Sequence, residues 1–358
     1  MIRVFGAPQR YVQGPGALDE LGRLAAELGK HPVVVLDAAV RDLFADRVAA
    51  IMAAAGCRPE FLVFGGECTL DEIGALAARV ERADPVIALG GGKAIDTAKG
   101  VALHHDSRLI VVPTIASNDS PTSRLIVHYT ADHAVAGVKL LPRNPDIVLV
   151  DTAVVVKAPL RFFVAGIGDA LSKRFEVGQC HASGGRNFYG TRPLAVAVRL
   201  AEMCYDTIRA HGLAACAAVK RREVTADVEA VTEATVLWSG LGFESGGLSI
   251  AHAMVRGLTA IPQLAHFLHG EMVAYGTLVQ LAVEGHDDAA LLDHIGFWRA
   301  LGLPAALADL GLAEPTPAHL ATIAEATLGA PYAGHVTVPL SAPILAASIA
   351  RVDALART

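Results

Sequence analysis

The sequence has few aromatic residues, few charged residues and no closely spaced pair of cysteines. Aromatic side chains make up 5% and charged side chains 18% of the residues, against 53% hydrophobic ones. The interior is therefore large, and a polar residue within an apolar run is informative. The five cysteines are odd in number and form no Cys-x-x-Cys pair. This excludes a disulfide framework and a thiolate zinc site, so the cysteines are small core residues or free thiols.

Long apolar runs and an excess of basic residues are also missing. No uninterrupted apolar run has the length of a membrane span, and the amino terminus shows no basic segment followed by an apolar one. The formal net charge of −6 argues against a nucleic-acid partner, because such partners are bound by basic faces. We therefore expect a cytoplasmic protein that binds neither a membrane nor a nucleic acid.

The first part of the chain alternates short apolar strands with alanine-rich helices. Five strands are predicted in the segments 32–37, 59–66, 85–92, 109–114 and 146–151. Strands that are apolar on both faces and separated by helices are typical of a parallel sheet covered on both sides. We predict an α/β dinucleotide-binding domain over residues 1–160, with ligands at the carboxyl ends of its strands.

The second part of the chain has almost no strand signal. After about residue 160 the apolar runs are longer, have helical periodicity and are rich in alanine and leucine. Pro159 directly precedes the first long helix, as expected at a helix start. We therefore predict an all-α domain over residues 161–358, and no internal repeats.

A glycine-rich turn is the sharpest motif of the first domain. In "ALGGGKAIDTAKG" (88–100) a strand runs through Gly90, Gly91 and Gly92 directly into a helix. Such a turn lets the backbone approach a phosphate, at which the amides of the helix amino terminus then point. The segment matches neither G-x-G-x-x-G, because Ile95 replaces the third glycine, nor the Walker pattern. The alternative is a turn that only caps the helix.

Two further segments of this domain carry polar side chains after strands. Asp37 closes the strand "VVVLD", where a carboxylate can accept the ribose hydroxyls of NAD and repel the 2′-phosphate of NADP. An aspartate there also serves as a helix N-cap. The loop 112–130 offers Thr114, Ser117, Asp119 and Ser123 to a cofactor or a polyol, although turn chemistry explains the same composition.

An aspartate and three histidines in the second domain are candidate metal ligands. We place Asp169 at the start of a helix, where its alternative role is an N-cap, and His252 on the inward face of a later helix. His269 opens the next helix after the break at Pro262, and His266 lies one turn earlier. A lone inward histidine is usually a hydrogen-bonded core residue. Oxygen and nitrogen ligands without thiolate, however, suit zinc or ferrous iron.

Taken together, these motifs resemble one enzyme family over nearly the whole chain. The chain resembles the glycerol dehydrogenases of the iron-containing, or group III, alcohol dehydrogenase superfamily, whose fold is shared with dehydroquinate synthase. The segments that carry the resemblance are "YVQGPGALDELG", "FGGECTLDEI", "GGGKAIDTAK", "PTIASNDSPTS", "NPDIVLVDT", "AGIGDAL", "GFESGGLSIAHA" and "HGEMVAYGTLVQ".

The resemblance implies a homo-oligomeric, NAD-dependent dehydrogenase of small polyols or vicinal diols. It implies a divalent metal, preferably Zn²⁺ and otherwise Fe²⁺, held by Asp169, His252 and His269. The metal would lower the pKa of a substrate hydroxyl while hydride passes to NAD. Asp119 would hold a substrate hydroxyl, and His266 would be a neighbour of the ligands and a proton relay. The implied NAD contacts are Asp37, Gly91, Gly92, Lys93, Asp96, Thr114, Ser117, Ser123, Leu125 and Tyr129.

Several positions depart from the glycerol dehydrogenase pattern. Arg256 replaces an asparagine and Val255 a histidine, while Arg124 and His128 replace a small and an apolar residue. Added cations near a polyol site would suit a 2-hydroxy acid, a 2-oxo acid or a phospho- or phosphono-alcohol. Alternatively, the two arginines pair with acids elsewhere. A dehydroquinate-synthase-like lyase is a further alternative for the reaction.

Overall fold

The structure is a computed structural model that describes residues 2–130 and 135–357. The chain forms two compact units. The first comprises Gly6–Pro159 and Ala218–Leu237, and the second comprises Met1–Phe5, Leu160–Ala217 and Trp238–Thr358. The predicted ranges were 1–160 and 161–358. In the structure the short segment at the amino terminus belongs to the second unit, and the segment 218–237 belongs to the first.

The first unit contains all the strands of the described residues. In chain order they are β1 (Arg10–Gly14), β2 (Val33–Leu36), β3 (Glu60–Val63), β4 (Val86–Gly90), β5 (Leu109–Pro113), β6 (Leu125–Tyr129), β7 (Val135–Leu140) and β8 (Ile147–Asp151). Six of them form a parallel sheet in the order β1-β8-β5-β4-β2-β3, and β6 pairs with β7 as an antiparallel hairpin. The helices of this unit are α1 (Leu21–Leu28), α2 (Ala38–Ala54), α3 (Leu70–Ala77), α4 (Gly92–His104), α5 (Thr152–Val155) and α9 (Ala226–Glu233).

The central strands are buried on both faces, as their continuous apolar sequences predict. Every residue of β2, β4, β5 and β8 is buried, and the register places Ile87 opposite Ile110 and Val111 opposite Val148. The five predicted strands are confirmed. Strand β1 and the hairpin were not predicted, because β1 is a half-buried edge strand with mixed polarity and β7 is largely exposed.

In the described residues of the second unit, helices are the only regular secondary structure. Its helices are α6 (Leu160–Leu171), α7 (Lys173–Ala182), α8 (Ala195–Lys220), α10 (Ser239–Gly246), α11 (Ile250–Thr259), α12 (His269–Val283), α13 (Asp288–Leu301), α14 (Pro317–Leu328) and α15 (Ala342–Ala356). The boundary between the units falls inside α8. A parallel sheet followed by helices confirms the predicted fold class. None of the described helices is both long and apolar enough to cross a membrane.

Two glycines bring α6 and α12 into close contact. A Cβ atom on Gly270 would lie 1.8 Å from the carbonyl oxygen of Ala165, and one on Gly168 would lie 2.5 Å from the carbonyl oxygen of Gly270. Only a residue without a Cβ atom fits at either position, because backbone atoms occupy the space. The contact places the end of α6, which carries Asp169, beside the start of α12, which carries His269.

Candidate active site

Three helices of the second unit bring an aspartate and two histidines together. The ligand atoms of Asp169 (α6), His252 (α11) and His269 (α12) all lie within 4.8 Å of one another. Asp169 Oδ1 is 3.3 Å from His252 Nε2 and 4.0 Å from His269 Nε2. Asp169 and His252 are buried, whereas the His269 side chain is 45% exposed. The group is therefore closed on one side and accessible on the other.

Asp169 lies in the last turn of α6, and not at a helix start as predicted from the sequence. Its carbonyl oxygen accepts hydrogen bonds from Ser172 Oγ at 2.8 Å and from Lys173 Nζ at 2.9 Å. Ser172 alone separates α6 from α7, so Lys173 begins the next helix one turn after Asp169. Gly168, directly before Asp169, serves the packing of α6 on α12 rather than a helix start.

Glu176, in α7, orients His252. Its Oε2 atom is 2.6 Å from His252 Nδ1, and its Oε1 atom accepts hydrogen bonds from the backbone amides of His252 and Ser249. The carboxylate assigns the proton to Nδ1 and thereby turns Nε2 towards Asp169. Although burial lowers it, the nearby Glu176 carboxylate raises the pKa of His252 to about 9.

Lys173 is a fourth charged group in the same place. Its side chain is fully buried, and Nζ lies 2.5 Å from Asp169 Oδ1 and 3.4 Å from His252 Nε2. Although burial by itself raises the pKa of Asp169, the Lys173 ammonium holds it well below its usual range. Asp169 is therefore an anion in the folded protein.

The residues present fit a divalent metal. The buried Oδ2 atom of Asp169 has no hydrogen-bond partner among the described residues, which is unusual for a buried carboxylate oxygen. One carboxylate and two imidazoles are ligands that zinc and ferrous iron accept. A carboxylate behind one of the histidines is also typical of metal sites.

An ion pair fixes the turn that precedes His269. Glu271 accepts hydrogen bonds from Arg161 Nε at 2.6 Å and Nη2 at 2.8 Å, and from the backbone amide of Leu268 at 2.8 Å. The Arg161 guanidinium also lies 5.8 Å from the centre of the Phe267 ring. The start of α12 is thus tied to the start of α6, although His269 itself is partly exposed.

His266 is not brought into this group of ligands. It is exposed in the segment between α11 and α12, and its ring packs on Phe267 with the ring centres 4.6 Å apart. His269, by contrast, is the first residue of α12, as predicted.

In the first unit, Asp37 and the glycine turn lie side by side at the carboxyl ends of β2 and β4. Asp37 is an N-cap, because its Oδ1 atom accepts the Val40 amide at 2.8 Å. Its Oδ2 atom points to the glycine turn and is 3.8 Å from the position of a Cβ atom on Gly90. The N-cap role of Asp37 thus uses Oδ1, whereas the predicted contact with a ribose would use Oδ2.

The glycine turn packs against the loop after β5. Gly91 is the N-cap of α4 and Gly92 its first residue. Cβ atoms there would approach Ile115 Cδ1 to 2.8 Å and Asn118 Nδ2 to 2.6 Å. The turn and this loop, which holds Thr114, Ser117 and Asp119, thus form one surface. Of these three residues Thr114 and Asp119 are buried, and Ser117 is half-buried.

Two predicted cofactor residues form an interacting pair at the edge of this surface. Lys93 Nζ lies 2.7 Å from Glu67 Oε2 and 5.2 Å from the centre of the Tyr129 ring. The Lys93 side chain is 45% exposed and therefore accessible to a ligand.

Three other predicted cofactor residues, Asp96, Ser123 and Leu125, contact the buried side chain of Lys99. Lys99 is fully buried, and its Nζ atom lies 3.2 Å from Asp96 Oδ1, 3.4 Å from Ser123 Oγ and 2.7 Å from the Leu125 carbonyl oxygen. Asp96 Oδ2 accepts the amide of Val127 at 3.0 Å. These contacts hold β6 and the preceding turn against α4.

The Arg256 side chain is exposed in the last turn of α11. Its Nη1 atom donates a hydrogen bond to the carbonyl oxygen of Gly329, which caps α14, at 3.0 Å. Arg256 thus interacts with a helix end rather than with an acid. The His128 ring lies on the hairpin against Gly137.

Sequence reasoning did not identify Lys173 and Glu176 as part of the site. They follow Asp169 by four and seven residues, a spacing that places side chains on one helix face. That spacing was the available signal, since a helix starting at Asp169 would carry all three side chains on one face.

Comparisons with known proteins show the family of the chain. The family model "Iron-containing alcohol dehydrogenase" matches residues 8–152. The chain is 43% identical to a glycolaldehyde reductase of Halobacterium salinarum, with 91% of this chain and 90% of that protein covered. It is 40% identical to a glycerol dehydrogenase of Escherichia coli O6:H1, with 91% and 89% covered. A solved structure of a probable glycerol dehydrogenase from Sinorhizobium meliloti 1021 superposes with a TM-score of 0.93 at 38% identity, covering 100% and 99% of the two chains.

The chain belongs to the iron-containing alcohol dehydrogenase family. Within that family, the predicted resemblance to glycerol dehydrogenases is confirmed by relatives that span most of the chain. An oxidoreductase acting on a small molecule is thus the class of enzyme that the fold and the relatives define.

Proposed function

We propose that this protein is a metal-dependent oxidoreductase that transfers hydride between NAD and a small polyol, a vicinal diol or the corresponding hydroxyaldehyde. The observation that carries the proposal is the group formed by Asp169, His252 and His269. It occurs in a chain whose relatives include a glycolaldehyde reductase and glycerol dehydrogenases.

Each residue of the group has a defined role in this proposal. Asp169, His252 and His269 hold a divalent metal, which when bound supplies a Lewis acid for a substrate oxygen. Glu176 fixes the tautomer and orientation of His252 through the 2.6 Å contact with Nδ1. The ion pair of Arg161 and Glu271 holds the turn that positions His269.

The proposal assigns NAD to the first unit. The glycine turn before α4 lets the backbone approach the pyrophosphate, and the helix amides favour its negative charge. Asp37 Oδ2, which faces that turn, suits the ribose hydroxyls and disfavours a 2′-phosphate. Asp96, Ser123 and Leu125 support this surface through Lys99, while Asp119 keeps its predicted role towards a substrate hydroxyl.

Finer features also belong to the proposal. Zinc is preferred over iron because the resemblance to glycerol dehydrogenases implies it; one carboxylate and two imidazoles suit both metals and leave a position for substrate. A homo-oligomer and a cytoplasmic location complete it. All five cysteines are free, in keeping with a reducing compartment.

A substrate panel tests the proposal. The metal-stripped protein, reconstituted with Zn²⁺ or Fe²⁺, is assayed by NADH absorbance with diols, hydroxyaldehydes, 2-hydroxy acids and phospho-alcohols. We expect turnover of diols and hydroxyaldehydes that requires metal and is absent in Asp169→Ala, with NAD binding retained. Full activity of the metal-stripped protein would contradict the metal's role, and preference for the acidic compounds would favour the alternative substrate class. A lyase reaction would yield no net NADH.

A further inference from the structure

A buried lysine beside three metal-ligand side chains needs an explanation. Lys173 Nζ is 2.5 Å from Asp169 Oδ1, the same oxygen that faces both histidine Nε2 atoms. It is also 3.4 Å from His252 Nε2. The ammonium therefore contacts two of the three ligand side chains, on the ligand atoms themselves.

An ammonium and a metal ion at this position exclude each other in part. Both are cations, and like charges a few ångströms apart inside a protein repel far more strongly than they do in water. Lys173 is moreover bonded to Oδ1, the Asp169 oxygen that faces both histidine nitrogens, whereas the oxygen without a partner among the described residues is Oδ2. An ion held at Oδ1 and the two histidine nitrogens would therefore weaken the bond of Lys173 to Oδ1, by repulsion and by sharing the acceptor.

We propose that Lys173 competes with the metal for Asp169 and thereby sets the metal affinity of the site. The inference rests on the proposed function, because it presupposes the metal site. In the metal-free protein the ammonium forms a buried ion pair with Asp169, beside the His252 imidazole. Metal binding replaces one cation by another, so the displacement of Lys173 makes the free energy of metal binding less favourable.

The chain contains a matched lysine for comparison. Lys99 is also fully buried and lies 3.2 Å from an aspartate, Asp96. Its other partners are two backbone carbonyl oxygens, those of Ser120 and Leu125, and a serine hydroxyl. Lys99 is therefore a structural cation, whereas Lys173 occupies the ligand atoms of a site.

The test measures zinc affinity, by competition with a chromophoric chelator, for the wild type and four variants. Lys173→Met and Lys173→Gln remove the charge at similar length, Lys173→Arg keeps it, and Lys99→Met is the control. We expect the two uncharged Lys173 variants to bind zinc at least tenfold more tightly than the wild type, or about 1.4 kcal/mol. Lys173→Arg and Lys99→Met should not bind zinc more tightly.

A second measurement separates competition from a structural role. Loss of the ammonium should lower the melting temperature of the metal-free protein and tighten zinc binding. If Lys173 only supported the structure, its loss would lower the melting temperature and also weaken zinc binding. Zinc release into excess chelator, followed from the zinc-loaded enzyme, needs no stable metal-free form and should be slower in both uncharged variants.

Each outcome decides between the two proposals. Wild-type or weaker zinc affinity in folded Lys173→Met and Lys173→Gln would overturn the competition and leave the proposed function intact. Failure of every variant to bind zinc, iron or manganese, with NAD-linked activity retained, would overturn both.

Discussion

Replacement of Glu176 by glutamine removes the negative charge that orients His252 and raises its pKa. The change is nearly isosteric, but Glu176 accepts three hydrogen bonds, two from His252 and one from the Ser249 amide. In Glu176→Gln the amide oxygen can still accept a hydrogen bond, whereas the amide nitrogen is a donor. The variant should therefore fold, with His252 less firmly held and less basic.

The magnitude follows from the pKa of His252, which is raised from 6.5 to about 9. A group with a raised folded-state pKa contributes stability that is fully present below its unfolded value and is lost as the pH rises through the folded value. Between pH 6.5 and 9 this amounts to about 3 kcal/mol in the metal-free protein. Glu176→Gln should lose most of this pH dependence, because Glu176 is the largest cause of the increase.

Denaturant unfolding of chelator-treated protein from about pH 6 to about pH 10 measures the effect. The wild type should lose stability over this window, and the stability curve of Glu176→Gln should be much flatter. Glu229→Gln is the control, since the Glu229 carboxylate also accepts hydrogen bonds, from the side chains of Gln13 and Thr152, but belongs to the other unit. An equal pH dependence in the wild type and Glu176→Gln would refute the reasoning. Zinc binding by Glu176→Gln should also be about 10- to 100-fold weaker.

Three further substitutions test other parts of the structure. Asp37→Ser keeps an N-cap but removes the carboxylate, so the ratio of NADP to NAD affinity should rise at least about tenfold; an unchanged ratio in titrations of both cofactors would contradict the ribose contact. Gly270→Ala places a Cβ atom 1.8 Å from the Ala165 carbonyl oxygen, and should cost about 3 kcal/mol or more and abolish zinc binding; a wild-type melting temperature would disprove the close contact. Arg256→Asn removes one exposed hydrogen bond to Gly329, so it should cost less than about 1 kcal/mol and leave the substrate preference unchanged; a lost preference for acidic substrates would instead place Arg256 at the substrate.

Features that depend on neighbouring residues were predictable from the sequence. The apolar strands, the glycine turn before α4 and the start of α12 at His269 each follow from a few consecutive residues. The half-polar strand β1 lacks that local signal, because its burial depends on pairing with β8 far along the chain. The position of residues 218–237 in the first unit likewise depends on tertiary contacts.

The proposed ligand side chains were accessible to sequence reasoning, but their electrostatic environment was not. Asp169, His252 and His269 are polar residues in apolar runs and therefore conspicuous. Lys173 and Glu176 acquire their roles only because α7 follows α6 after a single residue and turns both side chains towards His252. Their spacing from Asp169 indicates a shared helix face, but it does not specify the break at Ser172 or the contacts with His252.

The three proposed ligands come from three different helices, which has a consequence for the folding equilibrium. Residues 169, 252 and 269 are brought together only in the folded chain, so an ion that binds all three binds the folded state alone. Each tenfold rise in free metal above the dissociation constant then adds about 1.4 kcal/mol to the free energy of unfolding. The lifetime of the protein should accordingly depend on the metal supply of the cell, and metal starvation should deplete the protein itself as well as its activity.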